Sequence, residues 1–407
     1  MSRDEVVVSG VGAITPAGVG VAATWEGVCR GLGTATRDPA LAGLPVDFSC
    51  RVPGEDIGAG LGVRNLWRME RFTRLALVAA VEAVGDAGLD PATWDGARVG
   101  VVVGCGMGGM HAMREQERRL TEQGPDWVSP ALIPMMLPNM AAGEIALALG
   151  ARGPSLAAVT ACASGASAVA TAREWLVAGR CDVVVAGGAE SATTPLMVTG
   201  FQRAGTLSRR GEDPAGASRP FAADSDGFVM AEGAAVLVLE RMRDLRARGG
   251  RARAVLAGCG VSTDAHHPTA PHPEGRGAEA AVRAALAQAG AEARDVEHVN
   301  AHATSTRQGD TAEGRMIERV FPHGPSVTSA KGALGHGLGA AGAVEAVLTV
   351  LSVERGVVPP TANVGAPAPD LAIDLVVKKP RERPVPVAVS DSFGFGGHNV
   401  ALVFVTG

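Results

Sequence analysis

The chain of 407 residues is long enough to bury a large apolar core, either as one duplicated unit or as two or three ordinary domains. Hydrophobic residues make up 46% and charged residues 19%, a globular composition that excludes extended disorder. The net charge of -5, with basic and acidic residues interleaved, excludes a general polyanion-binding surface, so we expect no nucleic-acid partner.

The N-terminus begins Met-Ser-Arg-Asp-Glu and continues into a short Val-rich run. It has neither a long apolar segment nor a small-residue cleavage site, and no uncharged apolar stretch reaches the roughly 20 residues that cross a bilayer. We therefore expect a cytoplasmic protein with no membrane contact. The six cysteines include no CxxC pair, which predicts free thiols in a reducing compartment.

Short Val-rich runs alternate along the chain with Ala-rich stretches of helical spacing. The runs predict buried strands at residues 6–8, 99–103, 182–186, 236–240, 253–257 and 385–389. The stretches predict helices at residues 73–87, 164–178, 277–289 and 340–353. This alternation is typical of an α/β fold.

Two parts of the chain resemble each other in the same order, which indicates an internal repeat. The matched segments are residues 6–16 with 254–264, 155–165 with 326–339, and 182–191 with 387–397. We interpret this as one duplicated α/β unit. The sequence therefore predicts an N-terminal half at residues 1–245 and a C-terminal half at residues 246–407.

A glycine motif follows the predicted strand at residues 99–103. Residues 104–109 read Gly-Cys-Gly-Met-Gly-Gly and match GxGxxG, so a dinucleotide site is conceivable. The continuation typical of such a site is missing, because residues 111–123 form a charged stretch rather than a short helix that leads to a second apolar strand. We therefore expect no nucleotide.

Cys162 lies between an apolar strand and a helix, in the sequence Val-Thr-Ala-Cys-Ala-Ser-Gly at residues 159–165. At a helix N-terminus, unpaired backbone N–H groups and the macrodipole favour a thiolate and can bind an oxyanion. Small neighbours leave the approach open, so Cys162 is a candidate nucleophile. From this segment alone, a structural cysteine packed in the core at a strand end is the favoured interpretation.

His302 ends another predicted strand and enters a loop rich in hydroxyl groups. A histidine there can donate a hydrogen bond to a carbonyl oxygen, and Thr304 and Thr306 can hold an arm that carries amide groups. Taken by itself, this histidine is also compatible with a structural role.

Lys331 and His336 are surrounded by glycines at 332, 335, 337 and 339, which let backbone approach a ligand closely. A glycine-rich turn before a helix would look the same. The segment Ser-Phe-Gly-Phe395-Gly-Gly at residues 392–397 predicts a tight turn between two strands, whose N–H groups could complete an oxyanion hole. Cys162, His302 and His336 could also be zinc ligands, but no closely spaced ligand pair supports a metal and we expect none.

Taken together, these segments resemble the motif set of beta-ketoacyl-ACP synthases, in the type II elongating branch of the thiolase-fold condensing enzymes. The resemblance covers the whole chain and rests on the ordered stretches VVVSGVGAITPAG, GPSLAAVTACASG, VVVAGGAES, SRPFAADSDGFVMAEGA, VNAHATST, KGALGHGLGAAGAVE and SFGFGGHNVALVF. It implies a thiolase-like fold, in which the two α/β halves form an α-β-α-β-α sandwich.

The resemblance also implies a decarboxylative Claisen condensation. Cys162 would carry the acyl group, and His302 and His336 would hold the malonyl thioester carbonyl while carbon dioxide leaves. The backbone N–H groups of Cys162 and Phe395 would receive the oxyanion. Lys331, paired with Glu345, would orient His336.

Further roles follow from the same resemblance. Thr304 and Thr306 would grip a pantetheine arm, with Thr269 at its entrance; no cofactor would be bound, because acyl carrier protein supplies the phosphopantetheine. The remaining implied positions are Asp310 and Asn399 in support, Met107, Phe201 and Phe228 in the acyl pocket, and Phe395 as a gate between acyl and malonyl steps. Arg68 and Arg71 would face the acidic carrier protein, although a solvated helix face explains them equally well.

Three positions depart from the family pattern. Ala303 replaces a loop glycine, His398 stands where threonine is common, and Gly205 replaces an arginine of the carrier-binding stretch, with Arg203 nearby. These changes favour a specialised enzyme, for example in a bacterial type II polyketide pathway. The main rival is a chain-length-factor-like subunit that does not condense, but such subunits lack the nucleophilic cysteine. A thiolase would need a second cysteine near the C-terminus, where this chain has none. We expect a homodimer or a heterodimer with a chain-length-factor-like subunit.

Overall fold

A computed structural model describes residues 5–54, 56–62 and 66–407 of the chain. The first four residues, on which the expectation about targeting partly rests, lie outside this part. The strands are β1 (Val6–Thr15), β2 (Gly18–Val19), β3 (Thr36–Arg37), β4 (Phe48–Ser49), β5 (Val99–Gly104), β6 (Ser155–Ala158), β7 (Val183–Glu190), β8 (Gly233–Arg241), β9 (Ala254–Thr263), β10 (His298–Asn300), β11 (Ser326–Thr328), β12 (Val357–Val358), β13 (Asp374–Leu375), β14 (Arg381–Glu382), β15 (Val387–Gly394) and β16 (His398–Val405).

The helices agree closely with the predicted stretches and add several others. They are α1 (Val21–Cys29), α2 (Arg71–Asp86), α3 (Met110–Gln123), α4 (Leu132–Met136), α5 (Met140–Leu149), α6 (Ser164–Val177), α7 (Pro195–Arg203), α8 (Met242–Ala247), α9 (Arg276–Ala289), α10 (Arg307–Val320), α11 (Lys331–Leu334) and α12 (Ala341–Arg355). Short 3₁₀ turns lie at Ala161–Ala163 and Leu338–Ala340.

The strand order shows that the fold is duplicated. In the first part of the chain the neighbours across the sheet are β6, β5, β7, β8 and β1, and in the second part they are β11, β10, β15, β16 and β9. Ranked by position in the sequence, both sets have the order third, second, fourth, fifth, first. The matched segments therefore occupy equivalent strands, which confirms the duplicated α/β fold.

The two sets of strands join through a short antiparallel contact between β1 and β9, where Val7 pairs with Val255 and Val8 with Ala254. Between β8 and β9 the chain passes through α8, where the predicted boundary near residue 245 falls. The division into two separate folding units stays a prediction.

Helices form three layers around the sheet. Helices α6 and α12 contact strands of both repeats and form the central layer, whereas α2 and α5 cover the first repeat and α9 and α10 cover the second. Helix α12 is buried along almost its whole length, because its apolar and small residues leave no polar face. Three apolar clusters fill the spaces between these layers, which gives the predicted α-β-α-β-α sandwich.

Candidate active site

The carboxyl ends of six strands meet at the centre of the molecule. Strands β5, β6 and β7 run parallel in the first repeat, and β10, β11 and β15 run parallel in the second. Parallel strands end at the same edge of a sheet, so the loops that follow them lie side by side. These loops carry Cys162, His302, His336 and Phe395, which line one cavity of about 500 Å³.

Cys162 lies in the 3₁₀ turn that joins β6 to α6. The preceding residue, Ala161, has a φ of 50°, a left-handed conformation that is costly for a residue with a side chain. The side chain of Ser164 holds it through two hydrogen bonds: Ser164 Oγ accepts from Thr160 N at 2.9 Å and donates to the Ala161 carbonyl at 2.6 Å. The strained turn directs the thiol into the cavity.

The strand β15 packs closely on this turn. At Gly394 a Cβ atom would lie 2.4 Å from the Thr160 carbonyl oxygen and 3.2 Å from the backbone nitrogen of Cys162, so only glycine fits. The next residue places its backbone N–H on the nucleophile, because Phe395 N–H donates a hydrogen bond to Cys162 Sγ. Two backbone N–H groups, those of Cys162 and Phe395, are thus available beside the sulfur.

The charge state of Cys162 differs from the one that the sequence predicts. Although the thiol opens onto the cavity, protein atoms surround it, and this burial raises its pKa to about 12. Lys331 and the Phe395 N–H act in the opposite direction, while Glu190 and Glu345 raise the pKa further. The prediction of a resting thiolate is therefore wrong for the free protein: a proton must leave when the sulfur is acylated.

His302 and His336 face each other across the cavity, with ring centroids 5.5 Å apart and planes nearly perpendicular. Burial lowers the pKa of both imidazoles well below the ordinary value, and the positive charge of Lys331 lowers both further. Both histidines are therefore neutral at pH 7, and each carries one N–H donor. His336 is held by Phe228, whose ring lies edge-on at 5.2 Å.

The loop after β10 is anchored by two acidic side chains of α10. The Glu313 carboxylate accepts from the backbone N–H groups of His302 at 2.7 Å and Ala303 at 2.6 Å. Asp310 accepts from Thr304 N at 3.0 Å and from Phe221 N at 2.7 Å. Burial raises the Asp310 pKa to about 7. Ala303 is not among the residues with positive φ, so its methyl group fits where the family pattern has glycine.

Lys331 forms a buried ion pair with Glu345, the partner that the sequence predicts. Burial raises the pKa of Glu345 to about 7, and burial with repulsion from Glu345 raises that of Asp391 to about 8. The carboxyl groups of Glu345 and Asp391, which have few positive charges nearby, are therefore partly protonated near neutral pH.

Hydroxyl groups line the entrance of the cavity. Thr269, Thr304 and Thr306 all contribute to its wall, and the Oγ1 atoms of Thr304 and Thr306 lie 3.0 Å apart. Asn399 also faces the cavity and donates to Asp264 Oδ1 at 2.8 Å. The structure thus places together all the residues that the resemblance assigns to a pantetheine arm.

Comparison with known proteins gives the same family that the sequence motifs indicate. Residues 3–244 match the family "Beta-ketoacyl synthase, N-terminal domain", and residues 253–365 match "Beta-ketoacyl synthase, C-terminal domain". The chain belongs to the beta-ketoacyl synthase family. Its fold is the thiolase-like fold of that family, and its activity class is that of a condensing acyltransferase.

Three similar proteins show how this synthase relates to known ones. The 3-oxoacyl-[acyl-carrier-protein] synthase 2 of Synechocystis sp. is 41% identical, and the alignment covers 99% of this chain and 98% of that protein. The solved "ishigamide ketosynthase/chain length factor" has a TM-score of 0.93 at 31% identity and covers 100% of both chains. A ketosynthase solved with a type II PKS acyl-carrier protein and bound to the hexaketide has a TM-score of 0.92 at 30% identity over 99% of both chains.

The acyl-pocket residues of this beta-ketoacyl synthase are only partly on the cavity. Phe201 and Phe228 line it, with ring centroids 5.4 Å apart. Met107 does not line it; this side chain packs, like those of Cys162 and Phe201, against an apolar cluster that also contains Phe228 and Leu338. The structure therefore places Phe201 and Phe228, but not Met107, on the wall of the open space.

The glycine motif at residues 104–109 has a different environment from a nucleotide site. The charged stretch after it is the helix α3, contrary to the sequence-based expectation, because its acidic and basic residues pair along the helix surface. The backbone N–H groups of Gly106 and Met107 donate to the Glu190 carboxylate at 2.7 and 3.2 Å. A protein side chain thus occupies the position that a phosphate would need.

Arg68 and Arg71 are not placed as the carrier-protein prediction needs. The Arg71 guanidinium binds the buried Glu232 carboxylate through two nitrogens at 2.7 and 2.8 Å, so the carrier assignment is wrong for this residue. Arg68 lies 3.7 Å from Glu144, away from the cavity wall. In contrast, Arg307 lines the cavity and is exposed, and the exposed Arg203 precedes two lining residues.

Sequence reasoning missed Glu313 and Glu190, the carboxylates that bind the backbone beside the site. Glu313 had a local signal, since it lies one helical turn after Asp310, but Glu190 had none. In the described part of the chain, no three His, Cys, Asp or Glu side chains are arranged to hold a metal ion. No helix there has the length and apolar character to cross a bilayer.

Proposed function

We propose that this beta-ketoacyl synthase joins an acyl group held on Cys162 to a malonyl thioester of acyl carrier protein, with loss of carbon dioxide. The observation that carries the proposal is the common cavity of about 500 Å³ onto which Cys162, His302 and His336 all open. A nucleophile and two neutral donors on one wall fit acyl transfer followed by carbon-carbon bond formation.

In the first step the Cys162 sulfur attacks the acyl thioester of the carrier protein. The C–S bond to the pantetheine breaks as the bond to Cys162 forms, and the thiol proton leaves on the pantetheine sulfur. The high pKa of Cys162 makes this proton transfer part of the step. The N–H groups of Cys162 and Phe395 stabilise the tetrahedral oxyanion, which needs donors aimed at the developing charge.

In the second step the malonyl thioester carbonyl accepts hydrogen bonds from His302 and His336. We infer that the N–H of each imidazole is on Nε2, because each Nδ1 is buried without a hydrogen-bond partner among the described residues. Two neutral donors stabilise the enolate that forms as carbon dioxide departs. They do so without giving up a proton, since the pKa of both rings is low.

In the third step the enolate carbon attacks the acyl carbonyl on Cys162. The same pair of backbone N–H groups receives the oxyanion, the C–S bond to Cys162 breaks, and the beta-ketoacyl chain leaves on the carrier protein. These N–H groups thus stabilise the negative charge that develops in the transition state more than they stabilise the ground state. The released Cys162 sulfur takes up one proton from solvent through the open cavity, which restores the thiol.

The reactive arm is the phosphopantetheine of the carrier protein, and no resident cofactor is needed. Thr269, Thr304 and Thr306 supply hydroxyl groups along its path. At the rim, Arg203 and Arg307 offer positive charge to an acidic carrier protein, in place of Arg68 and Arg71. The related ketosynthase that was solved with its acyl-carrier protein supports this partner.

A second subunit is expected at the edge of the sheet. Strand β6 ends the strand order of the described residues, and Leu156 and Val159 beside it are 43% and 56% exposed. An exposed apolar edge strand favours pairing with another chain. The partner is a second copy or a chain-length-factor-like subunit, as in the ketosynthase/chain length factor relative.

We assign the reaction to the cytoplasm, where thiols stay reduced; the six cysteines, all in the described residues, are unpaired. Within that compartment we favour a type II polyketide pathway over housekeeping fatty-acid synthesis. Ala303, His398 and Gly205 depart from the family pattern, and type II polyketide ketosynthases are among the similar structures.

The test is intact-mass analysis after incubation with acyl and malonyl carrier proteins. Wild type should form acyl-Cys162 and then release a beta-ketoacyl product. Cys162→Gln should still decarboxylate malonyl carrier protein but not elongate, whereas His336→Ala should lose decarboxylation. Equal elongation by Cys162→Gln and wild type would contradict the proposal, and a wild type that never forms acyl-Cys162 would favour the non-condensing subunit.

A further inference from the structure

Glu190 is a fully buried carboxylate next to the nucleophile that the reaction steps above do not use. It is the last residue of β7 and has no exposed surface. No ion pair within the described ranges includes it. Its negative charge is instead balanced by backbone N–H groups, which stabilise a buried carboxylate only if several point at it.

These N–H groups come from two different turns. Glu190 Oε2 accepts from Gly106 N at 2.7 Å and from Gly339 N at 3.3 Å, and Met107 N lies 3.2 Å away. The first turn follows β5 and the second follows His336, so the carboxylate joins one repeat to the other. The two backbones touch at this point: a Cβ at Gly339 would lie 2.4 Å from Gly106 N.

Both turns contribute side chains to the surroundings of the thiol. Met107 packs against the same apolar cluster as Cys162 and Phe201, and Leu338, a member of that cluster, lines the open cavity. If the carboxylate were withdrawn, the backbone N–H groups of Gly106 and Met107 would lose their acceptor inside the protein. The position of the Met107 wall therefore depends on a side chain that is 84 residues away from Gly106 in sequence.

We propose that Glu190 is a positioning residue for the acylation of Cys162: its carboxylate clamps the turn after β5 to the turn after His336 and so holds Met107 and Leu338 as walls of the acyl site. The inference rests on the proposed function and adds to it the element that shapes the acyl side. We expect the clamp to act more on acyl transfer to Cys162 than on malonyl decarboxylation, because two N–H groups of the first turn lie on the carboxylate, whereas the turn after His336 donates the longer bond from Gly339 N at 3.3 Å.

A carboxylate fits this task better than its close analogues. It accepts hydrogen bonds at both oxygens, whereas a glutamine that keeps its oxygen on Gly106 and Gly339 would turn its NH₂ group toward the N–H of Met107 and the Sγ of Cys105. The charge also has a measurable effect on its neighbour, since Glu190 raises the pKa of Cys162. The other titratable groups that face Glu190 are Cys105, whose Sγ lies 3.4 Å from Oε1, and Glu70.

Glu70 offers a matched control at the other end of the same segment. It is buried, its pKa is raised to about 7 like that of Glu190, and its carboxylate accepts a hydrogen bond from Phe72 N at 3.1 Å and faces the backbone of His111 and Ala112. It therefore caps α2 beside the start of α3, whereas Glu190 holds the preceding turn. Glu70 does not act on the pKa of Cys162 and contributes nothing to the cavity wall.

The experiment compares Glu190→Gln, Gly106→Ala and Glu70→Gln in the full-length protein. The rates measured are acylation of Cys162 from acyl carrier protein, decarboxylation of malonyl carrier protein, and alkylation of Cys162 by iodoacetamide as a function of pH. Gly106→Ala keeps the charge but adds a Cβ 2.9 Å from Glu190 Oε2, and Gly106 is not a positive-φ residue, so the backbone tolerates alanine.

We expect Glu190→Gln to slow acylation at least tenfold with decarboxylation within twofold of wild type, and to move the alkylation midpoint to lower pH. Gly106→Ala should slow acylation without moving that midpoint. Glu70→Gln should change neither rate more than twofold. Equal slowing by Glu190→Gln and Glu70→Gln, or parallel loss of acylation and decarboxylation in Glu190→Gln, would overturn the inference. A wild type that forms no acyl-Cys162 would instead overturn the proposed function.

Discussion

The turns after β5 and β10 occupy equivalent places in the two repeats and solve the same problem. In each, two successive backbone N–H groups donate to a single buried carboxylate: Gly106 and Met107 to Glu190, and His302 and Ala303 to Glu313. Buried N–H groups need such partners. The same arrangement of backbone N–H groups is therefore present after the equivalent strands β5 and β10.

The two turns differ in what they present to the cavity side of the molecule. The first presents Met107 against the acyl side of Cys162, and the second presents His302 to the malonyl side. Their carboxylates also come from different places, since Glu190 ends a neighbouring strand and Glu313 lies 11 residues after His302. The same arrangement, in which two successive N–H groups bind one carboxylate, is thus used beside both half-reactions. Each of the following substitutions tests part of this comparison.

The largest effect is expected for the buried ion pair of Lys331 and Glu345 in the second repeat. Lys331→Met removes the cation and the hydrogen bond of Glu345, which must then take up a proton to stay buried, and should lower the free energy of unfolding by about 3 kcal/mol. Urea denaturation measures this. Lys331→Met combined with Glu345→Leu should recover most of the loss. A single variant as stable as wild type would show that Lys331 is not a structural part of the second repeat.

The next effect separates the two turns by chemistry. Glu313→Gln should slow malonyl decarboxylation by about 100-fold, because His302 loses the acceptor that fixes its backbone and the carbonyl donors move. Acylation of Cys162 should stay within threefold. This pattern is the reverse of that expected for Glu190→Gln, so single-turnover measurement of both steps in both variants checks the comparison. Similar losses in both steps would contradict it.

A smaller effect concerns pH and the first turn. The pKa of Glu70 is raised from 4.5 to about 7, so the folded state binds its proton more tightly than the unfolded state does. Stability from this group is present below pH 4.5 and is lost as pH rises through 7. Between pH 6 and 8, wild type should therefore lose about 1 kcal/mol relative to Glu70→Gln. Urea titrations at both pH values measure the difference, and a constant difference would refute it.

The smallest effect is expected at the position that departs from the family pattern. Ala303→Gly should lower the free energy of unfolding by about 1 kcal/mol, because glycine gains freedom in the unfolded chain and the buried methyl group is lost. Decarboxylation should stay within twofold, since the N–H bond to Glu313 is kept. Thermal unfolding and the malonyl assay check this, and a stabilised variant would show that Ala303 is strained.

The repeat and the strand ends were predictable because their signals are local. Matched segments such as residues 6–16 and 254–264 occupy equivalent strands, and small residues or glycines around Cys162 and His336 indicated where backbone and ligand approach. The pairing of Lys331 with Glu345 followed from the family resemblance. In contrast, Arg71 was interpreted wrongly, because a charged residue is exposed or buried according to partners such as Glu232 that are distant in sequence. Helix α3 was missed although its charge pairs lie only three and four residues apart.

The sequence by itself determined the duplicated α/β fold, the family and the positions of Cys162, His302 and His336, since each depends on periodicity and on motifs only a few residues long. Only the tertiary structure decided the protonation states of the site residues and which buried carboxylates hold the loops around the site. The pKa of Cys162 rises to about 12 because folding buries the thiol, an effect that no neighbour in sequence reveals. Glu190 reaches Gly106 and Gly339 over separations of 84 and 149 residues, and such contacts exist only once both repeats have packed together.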